Sequence, residues 1–369
     1  MELPTQGCAW ICDDWLKSMT DDTSSPIPDQ VHINSLRNAL WSGPTYGRAA
    51  VMVGAGFSLN AVPIEPGIGK FPTWNGLMET LIGQLTSDRP DSKAAKALLN
   101  ESKSTSGALK LSQEYMDLHD RVRLDNLIKS SVPDQKYHPS DLHRLLLELP
   151  WSDIFTTNWD TLLERAADEV HDRRYEVLLT MDDIPLAHRP RIVKLHGSFP
   201  SNRPFILTED DFRKYPSEFA PFVNLVQQSM MENIFCMIGF SGEDPNFLAW
   251  SGWVRDNLGD QRPTIYLVGL LNLRPGQRSM LEKRKITPID LSDVFHSSEA
   301  DAIPTSQKYA LAYRWFIRNL MKGRPGDPLI WPQPPVPEGD DPDLSALKPI
   351  PANNASSPLS ERVRPKRSA

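Results

Sequence analysis

Short apolar runs alternate with amphipathic stretches through the middle of the chain. Such runs, nearly continuous in apolar side chains, are typical of strands buried on both faces of a parallel sheet. They are AAVMVG (49–54), DIFTTN (153–158), IVKL (192–195), FIL (205–207), IFCMIG (234–239), TIYLVG (264–269) and ITPIDL (286–291). Because helical patterns separate them, we predict an α/β fold with a doubly wound, mostly parallel sheet.

Capping residues mark the starts of several predicted helices. Thr73 precedes a stretch whose apolar residues share one helical face, and Ser140 precedes another that Pro150 ends. Further helices are predicted near 33–41, from Asp160, from Thr208, from Asp244 with Pro245 in its first turn, near 277–285 and at about 306–321.

The chain divides into three parts by composition. Residues 1–30 are polar and irregular, and residues 31–323 carry the periodic pattern of one domain. Within it, a helical insertion of about 75–150 includes two or three amphipathic helices at 91–131. Prolines crowd the segment 324–369 and periodicity disappears, so we expect a disordered, Pro-rich tail that folding does not need.

Charge and cysteine content exclude several classes of protein. The 369 residues carry a formal net charge of −7, which predicts no direct nucleic-acid or membrane-surface binding. We find no apolar run long enough for a transmembrane helix, and the first residues do not resemble a signal peptide. Three cysteines, Cys8, Cys12 and Cys236, build neither a disulfide framework nor a four-thiolate zinc site. A cytoplasmic location is therefore expected.

A glycine-containing turn follows the first predicted strand. In GAGFS (54–58), Gly54 and Gly56 allow a tight turn whose backbone can approach a pyrophosphate, although a purely structural turn is equally compatible. A dinucleotide fingerprint of dehydrogenases needs a third glycine, and Leu59 occupies that position. The pattern therefore disfavours hydride transfer.

Polar residues follow three other predicted strands, where an open α/β sheet binds its ligands. Asn158 can orient a water or hold a ribose hydroxyl, or it can cap the next helix together with Asp160. His196 has an ordinary pKa near 6.5 and suits a general base, or it only hydrogen-bonds at a strand end. Gly239 and Ser241 offer a second phosphate or ribose contact, or an ordinary helix start.

The order of four motifs, GAGFS, TTNWD (156–160), KLHGS (194–198) and GFS (239–241), resembles the sirtuin superfamily over about residues 45–295. Three further stretches, PTWNGLMETL, LTEDDF and GFSGEDPN, are similar to the bacterial sirtuin-like NAD hydrolases of antiphage defence. This resemblance implies a Rossmann-like sheet that binds NAD⁺ across the carboxyl ends of its strands.

The resemblance also implies roles for individual residues. Asn158 and His196 correspond to the catalytic pair, and Asp160 lies near the nicotinamide carboxamide. The pyrophosphate is faced by Gly54, Ala55, Gly56 and Ser58, and a phosphate or ribose is contacted by Gly239 and Ser241. Zinc is not expected, because the paired CxxC motifs of protein-deacylating sirtuins are missing and only Cys236 follows Cys12.

The chain is therefore expected to be an NAD⁺ hydrolase that releases nicotinamide and ADP-ribose as a regulated effector of abortive infection. The resemblance further implies a homo-oligomer and a partner such as a hexameric DNA-translocase ATPase or a nucleic-acid-guided subunit. Three alternatives stay open: an NAD-dependent deacylase or ADP-ribosyl transferase, a non-catalytic NAD or ADP-ribose sensor, and an α/β interaction protein.

Overall fold

A seven-stranded parallel sheet forms the centre of the computed structural model, which describes residues 27–86, 93–171, 173–200, 203–295 and 303–325. Its strands lie in the order β5-β6-β4-β1-β7-β8-β9. Their bounds are β1 Ala49–Val53, β4 Asp153–Thr156, β5 Glu176–Leu178, β6 Arg191–Lys194, β7 Ile234–Ile238, β8 Ile265–Gly269 and β9 Ile286–Asp290. A second, two-stranded antiparallel sheet pairs β2 Val62–Pro63 with β3 Tyr137–His138.

Helices cover both faces of the large sheet and the space above it. They are α1 Gln30–Leu40, α2 Ala55–Ser58, α3 Trp74–Leu85, α4 Lys93–Glu101, α5 Thr105–His119, α6 Arg121–Ser131, α7 Asp141–Leu147, α8 Leu162–Ala167, α9 Glu209–Glu218, α10 Ala220–Glu232, α11 Pro245–Leu258, α12 Pro275–Lys283 and α13 Thr305–Met321. Short 3₁₀ turns lie at Asp134–Lys136, Met181–Asp183, Gly259–Gln261 and Leu291–Val294.

The predicted doubly wound sheet is confirmed by the packing of alternate strand residues. In β1, Ala49, Val51 and Val53 join a core with α1, α7 and α13, whereas Ala50 and Met52 join a core with α10 and α11 on the opposite face. Every strand pair of the large sheet is parallel. Successive strands are added first on one side of β1 and then on the other, so the topological switch point lies at β1, between β4 and β7.

The stretch 91–131, predicted as two or three helices, contains the three helices α4, α5 and α6. With α3, the last two enclose a core of their own around Leu81, Leu111 and Leu124. Phe205 and Leu207 complete this core from the sheet side. The helical layer therefore stands over the segment that follows His196.

The prediction of a strand at 205–207 is wrong. Phe205 and Leu207 pack into the core of the helical layer, while Ile206 packs into the core below the sheet. The amide of Ile206 donates to the His196 carbonyl at 3.0 Å, and the carbonyl of Phe205 accepts from the Arg121 guanidinium. These bonds satisfy the backbone without a strand partner.

Several elements of the structure are not predicted from the sequence. The edge strand β5 is three residues long and exposes Val177, so it lacks the continuous apolar run of a central strand. Helix α10 begins next to Pro221, directly after α9, and a single helix was predicted from Thr208. The predictions for residues 1–26 and 326–369 lie outside the described residues. Among the helices in the described ranges, none combines the length and hydropathy that crossing a bilayer requires.

Two strand-end turns touch backbone to backbone at the switch point. The amide of Gly54 donates to the Ile238 carbonyl at 3.0 Å, and the amide of Gly56 donates to the Gly239 carbonyl at 2.9 Å. A Cβ atom on Gly54 would overlap with the Gly239 carbonyl, and one on Gly239, whose φ is +62°, would overlap with the Phe57 amide. These glycines are therefore required by the approach of the two turns.

This contact predicts a large effect for Gly54→Ala, because the added methyl has backbone atoms on the opposite side that cannot move away. We expect the free energy of unfolding to fall by at least about 2 kcal/mol. Gly83→Ala is the control: nothing lies within 4 Å of its Cβ position in α3, so it should gain about 0.5–1 kcal/mol of helix stability. Urea denaturation measures both variants. A Gly54→Ala protein as stable as the parent would contradict the contact.

Candidate functional site

A cavity of about 380 Å³ opens at the carboxyl ends of β1, β4, β6 and β7. Its volume lies in the range of small-molecule sites. Many of the residues singled out from the sequence line it: Ala55, Gly56, Asn158, Asp160, His196, Gly239 and Ser241. Two others lie in the protein beneath it, since Gly54 is buried and Ser58 is 2% exposed.

Asn158 is held at the end of β4 by two successive hydrogen bonds. Its backbone amide donates to the Thr156 hydroxyl oxygen at 3.1 Å, and that hydroxyl donates to the Val53 carbonyl at 2.8 Å. The side-chain Nδ2 donates to Ser58 Oγ at 2.9 Å. The side-chain amide of Asn158 is therefore bonded to Ser58 in α2. Helix α8 begins only at Leu162, whose backbone amide donates to Asp160 Oδ1 at 3.2 Å.

Ser58 connects the two polar residues of the TTNWD motif. Its hydroxyl donates to Asp160 Oδ2 at 2.8 Å while its oxygen accepts from Asn158. The resemblance placed Ser58 facing a pyrophosphate, whereas this geometry has it orient the amide of Asn158. With Nδ2 committed to Ser58, Oδ1 is the atom through which Asn158 can accept a hydrogen bond from a ligand.

A buried ion pair supports this loop from below. Lys194, 1% exposed, lies 2.9 Å from Glu164 Oε1 and also donates to the Asp160 carbonyl. Burial raises the pKa of Asp160, and the Lys194 charge and the Ser58 hydroxyl oppose that rise. The loop that carries Asn158 is thus fixed by charged and polar groups in the protein interior.

His196 follows β6 and is 4% exposed. Gly197 has a φ of +100°, so the chain turns away immediately after it, as the sequence predicts. The imidazole meets Phe212 and Tyr215 edge to face, with ring centroids 5.2 and 5.6 Å away, and its Nε2 lies 3.3 Å from Asn246 Nδ2.

The protonation state of His196 is set by its surroundings. Burial, and secondarily the positive charge of Arg203, lower the pKa of His196 to about 3. The pKa of His196 in the folded chain thus lies well below the ordinary value of the side chain. His196 is neutral at physiological pH, which leaves one ring nitrogen able to accept a proton.

Acidic and aromatic residues that the sequence analysis did not assign to a site complete the cavity. Glu243 and Asp244 line its rim beside Ser241, and burial raises the pKa of Asp244 to about 6. Phe71, Trp74, Leu77 and Trp159 also line the cavity. The cavity thus offers both polar and aromatic side chains, which suits a ligand that carries an aromatic ring and sugar hydroxyls.

No group of three or more His, Cys, Asp and Glu side chains with the arrangement of a metal site occurs within the described ranges. The catalytic-type residues of the cavity are instead hydrogen-bonded to each other or to neighbouring side chains.

Comparisons with known proteins relate this cavity to a family. Residues 152–289 match the family model described as the SIR2-like domain. This part of the chain is similar to a SIR2-like domain. The matched range includes Asn158, Asp160, His196, Gly239 and Ser241, and therefore most of the strand ends around the cavity.

The relatives of this domain include proteins named NAD(+) hydrolase ThsA. The Acinetobacter baumannii protein is 32% identical over 143 residues, covering 37% of this chain and 29% of the relative. The Bacillus cereus protein is 25% identical over 203 residues, covering 54% and 38%. The Enterococcus faecium protein is 25% identical over 231 residues, covering 59% and 42%. The chain thus spans less than half the length of these relatives.

Among solved structures, a Sir2 homologue crystallised as an NAD complex matches over 78% of this chain and 94% of its own, with 13% identity and a TM-score of 0.34.

The neutral state of buried His196 predicts how stability depends on pH. Between pH 3 and 6.5 the unfolded chain binds a proton at His196 that the folded chain does not, so stability falls as the pH decreases through this window. His196→Gln removes that proton, and the slope of unfolding free energy against pH should decrease by about 1.4 kcal/mol per unit.

Urea denaturation at several pH values between 4.5 and 6.5 measures this slope. Asn257→Gln, a change between two non-titrating side chains at an exposed position of α11, serves as the control and should keep the parent's pH dependence. A His196→Gln slope equal to the parent's would show that the folded protein protonates His196 as readily as the unfolded chain does.

Proposed function

We propose that the chain is an NAD⁺ hydrolase that cleaves the bond between nicotinamide and ribose. The observation that carries the proposal is that Asn158 and His196, from the ends of neighbouring strands β4 and β6, line one cavity at the switch point of the sheet. The names of the matched relatives support the same activity.

The reaction needs little acid catalysis. Nicotinamide leaves the cationic pyridinium as a neutral molecule when the C1′–N bond breaks, through an oxocarbenium-like state similar to that of glycoside hydrolysis. The oxygen of a water bonds to C1′, and one proton of that water goes to a base and then to solvent. The products are nicotinamide, ADP-ribose and a proton.

In this proposal Asn158 and His196 act as a pair on the ribose. Asn158 Oδ1 accepts from the attacking water or a ribose hydroxyl, because Ser58 already holds the Nδ2 end of the amide. Neutral His196 takes the proton, and its low pKa keeps it unprotonated throughout the physiological range. Asp160, at the same cavity wall, accepts from the nicotinamide carboxamide.

We assign the pyrophosphate to the rim between the two glycine turns. The amides of Gly54 and Gly56 donate within the protein, so the exposed backbone of Ala55 faces the phosphates. Gly239 and the Ser241 hydroxyl stand across from it at the cavity rim. The glycines serve the ligand indirectly, by letting the two turns meet.

The biological setting is part of the proposal and rests on the motifs shared with antiphage sirtuin-like hydrolases. In this view residues 31–323 form the catalytic domain of a cytoplasmic effector that assembles with itself. A partner such as a hexameric DNA-translocase ATPase or a nucleic-acid-guided subunit controls it. In this proposal, self-assembly and the partner both control the cavity at the strand ends.

Nicotinamide release by purified protein tests the function. Asn158→Ala and His196→Ala should each lower the rate by ~10²–10⁴-fold, because each removes one half of the catalytic pair. The double variant should be scarcely slower than either single variant, since residues that act together are not additive. Asn257→Ala, at an exposed position of α11, is the control and should retain the parent rate.

The assay is run with and without candidate partners, and circular dichroism verifies that each variant is folded. Deacylation of an acyl-lysine peptide, or transfer of ADP-ribose to protein, without release of free ADP-ribose would favour the other NAD-dependent activities. Parent-rate NAD⁺ cleavage by folded His196→Ala would contradict the proposed role of His196.

A further inference from the structure

We infer that Asn246 determines which nitrogen of His196 carries the proton and so makes Nε2 the basic atom of the site. This inference rests on the proposed NAD⁺ hydrolase function. Asn246 ends the sequence stretch GEDPN (242–246), and the sequence motifs assign no role to it.

The orientation of the His196 ring is fixed by three neighbours. Phe212 and Tyr215, both on α9, meet the imidazole at interplanar angles of 79° and 71° and restrict its plane. Asn246, from α11, contacts Nε2 through its Nδ2 at 3.3 Å. The two ring nitrogens therefore have distinct surroundings, and Nε2 is the one that faces a polar side chain.

The contact between Asn246 Nδ2 and His196 Nε2 decides the tautomer. An amide NH₂ group can only donate, so at 3.3 Å it requires a lone pair on Nε2. A neutral imidazole that has its lone pair on Nε2 carries its proton on Nδ1. The environment that keeps His196 neutral thus acts together with Asn246 to define a single tautomer.

Asn246 is itself held rigidly. It is 4% exposed and lies in the first turn of α11, directly after Pro245. The Asp244 carboxylate caps this turn by accepting from the backbone amides of Asn246 and Phe247. An asparagine anchored at a helix start by its own backbone can present its side chain in one direction.

The other charged and titratable groups around the His196 ring form hydrogen bonds with the backbone. The Tyr215 hydroxyl donates to the Leu195 carbonyl at 2.9 Å, and the Arg203 guanidinium donates to carbonyls that include that of Leu195. Arg203 also disfavours the doubly protonated ring through its charge. The Asp244 carboxylate is committed to the cap of α11, which leaves Asn246 to select the tautomer.

The length of the contact suggests how a substrate enters. A distance of 3.3 Å exceeds the usual range of N–H donor contacts, so the bond is weak. A ribose hydroxyl that approaches Nε2 more closely would replace the amide at the same lone pair. Asn246 then acts as a placeholder that keeps Nε2 unprotonated until the hydroxyl arrives.

Two substitutions separate this positioning role from simple packing. Asn246→Asp keeps the size of the side chain but presents an acceptor, which draws the proton to Nε2 and removes the base. Asn246→Ala removes the contact and leaves both tautomers accessible. We expect kcat for NAD⁺ cleavage to fall by ~10²-fold or more in Asn246→Asp and by about tenfold in Asn246→Ala. If Asn246 only filled space, kcat should instead fall more in Asn246→Ala than in Asn246→Asp, because aspartate fills the space that alanine leaves empty.

The tautomer is read directly in the substrate-free protein. Proteins labelled with ¹⁵N-histidine report through imidazole ¹⁵N shifts whether Nε2 carries a proton, and the signal lost in His196→Gln identifies His196. We expect an unprotonated Nε2 in the parent and a protonated Nε2 in Asn246→Asp. Asn257→Asp, the same change at an exposed position of α11, should alter neither the signal nor the activity.

A protonated Nε2 in the parent, or an Asn246→Asp protein with the parent's tautomer or with a kcat above that of Asn246→Ala, would overturn the inference. Absence of NAD⁺ cleavage in the parent under all conditions would count against the proposed function instead, and the ¹⁵N measurement would still decide whether Asn246 sets the tautomer.

Discussion

The direct backbone contact between the turns after β1 and β7 is the constraint on which the site depends. Gly54 and Gly56 lie so close to Gly239 that side chains at these positions have no room. Because β1 and β7 are neighbours at the switch point, this contact sets one part of the cavity wall and places Ala55 and Ser241 in the same lining. A side chain that separated the turns would change the width of the space available to a ligand.

The other side of the cavity is built by buried polar side chains. Ser58 joins the residues of the β4 loop, the pair of Lys194 and Glu164 supports that loop, and Asn246 holds the imidazole after β6. Ser58, Asp160, Lys194 and Asn246 are buried and bonded to neighbouring groups, so each keeps one orientation before any ligand binds. Such preorganisation favours catalysis because the groups need not be reoriented during the reaction.

The strands, the double winding and most helix starts could be predicted from sequence because they depend on local apolar runs and capping residues. The strand predicted at 205–207 was wrong because its apolar residues pack into two different cores. Strand-end positions located Asn158 and His196, but the low pKa of His196 follows from burial against α9 and α11, which no local pattern reports. Asn246 had no local signal, because asparagine is common near the start of a helix. Its partner lies fifty residues earlier in the chain.

The most direct test of the account is a crystal structure of His196→Ala with NAD⁺, which the variant should bind but turn over slowly. We expect the nicotinamide ribose beside Asn158 and the space left by the imidazole at position 196, with the pyrophosphate between Ala55 and Ser241 and the pyridine ring toward Trp159. NAD⁺ bound elsewhere on the protein, or in this cavity with its ribose away from Asn158, would contradict the assignment of the site.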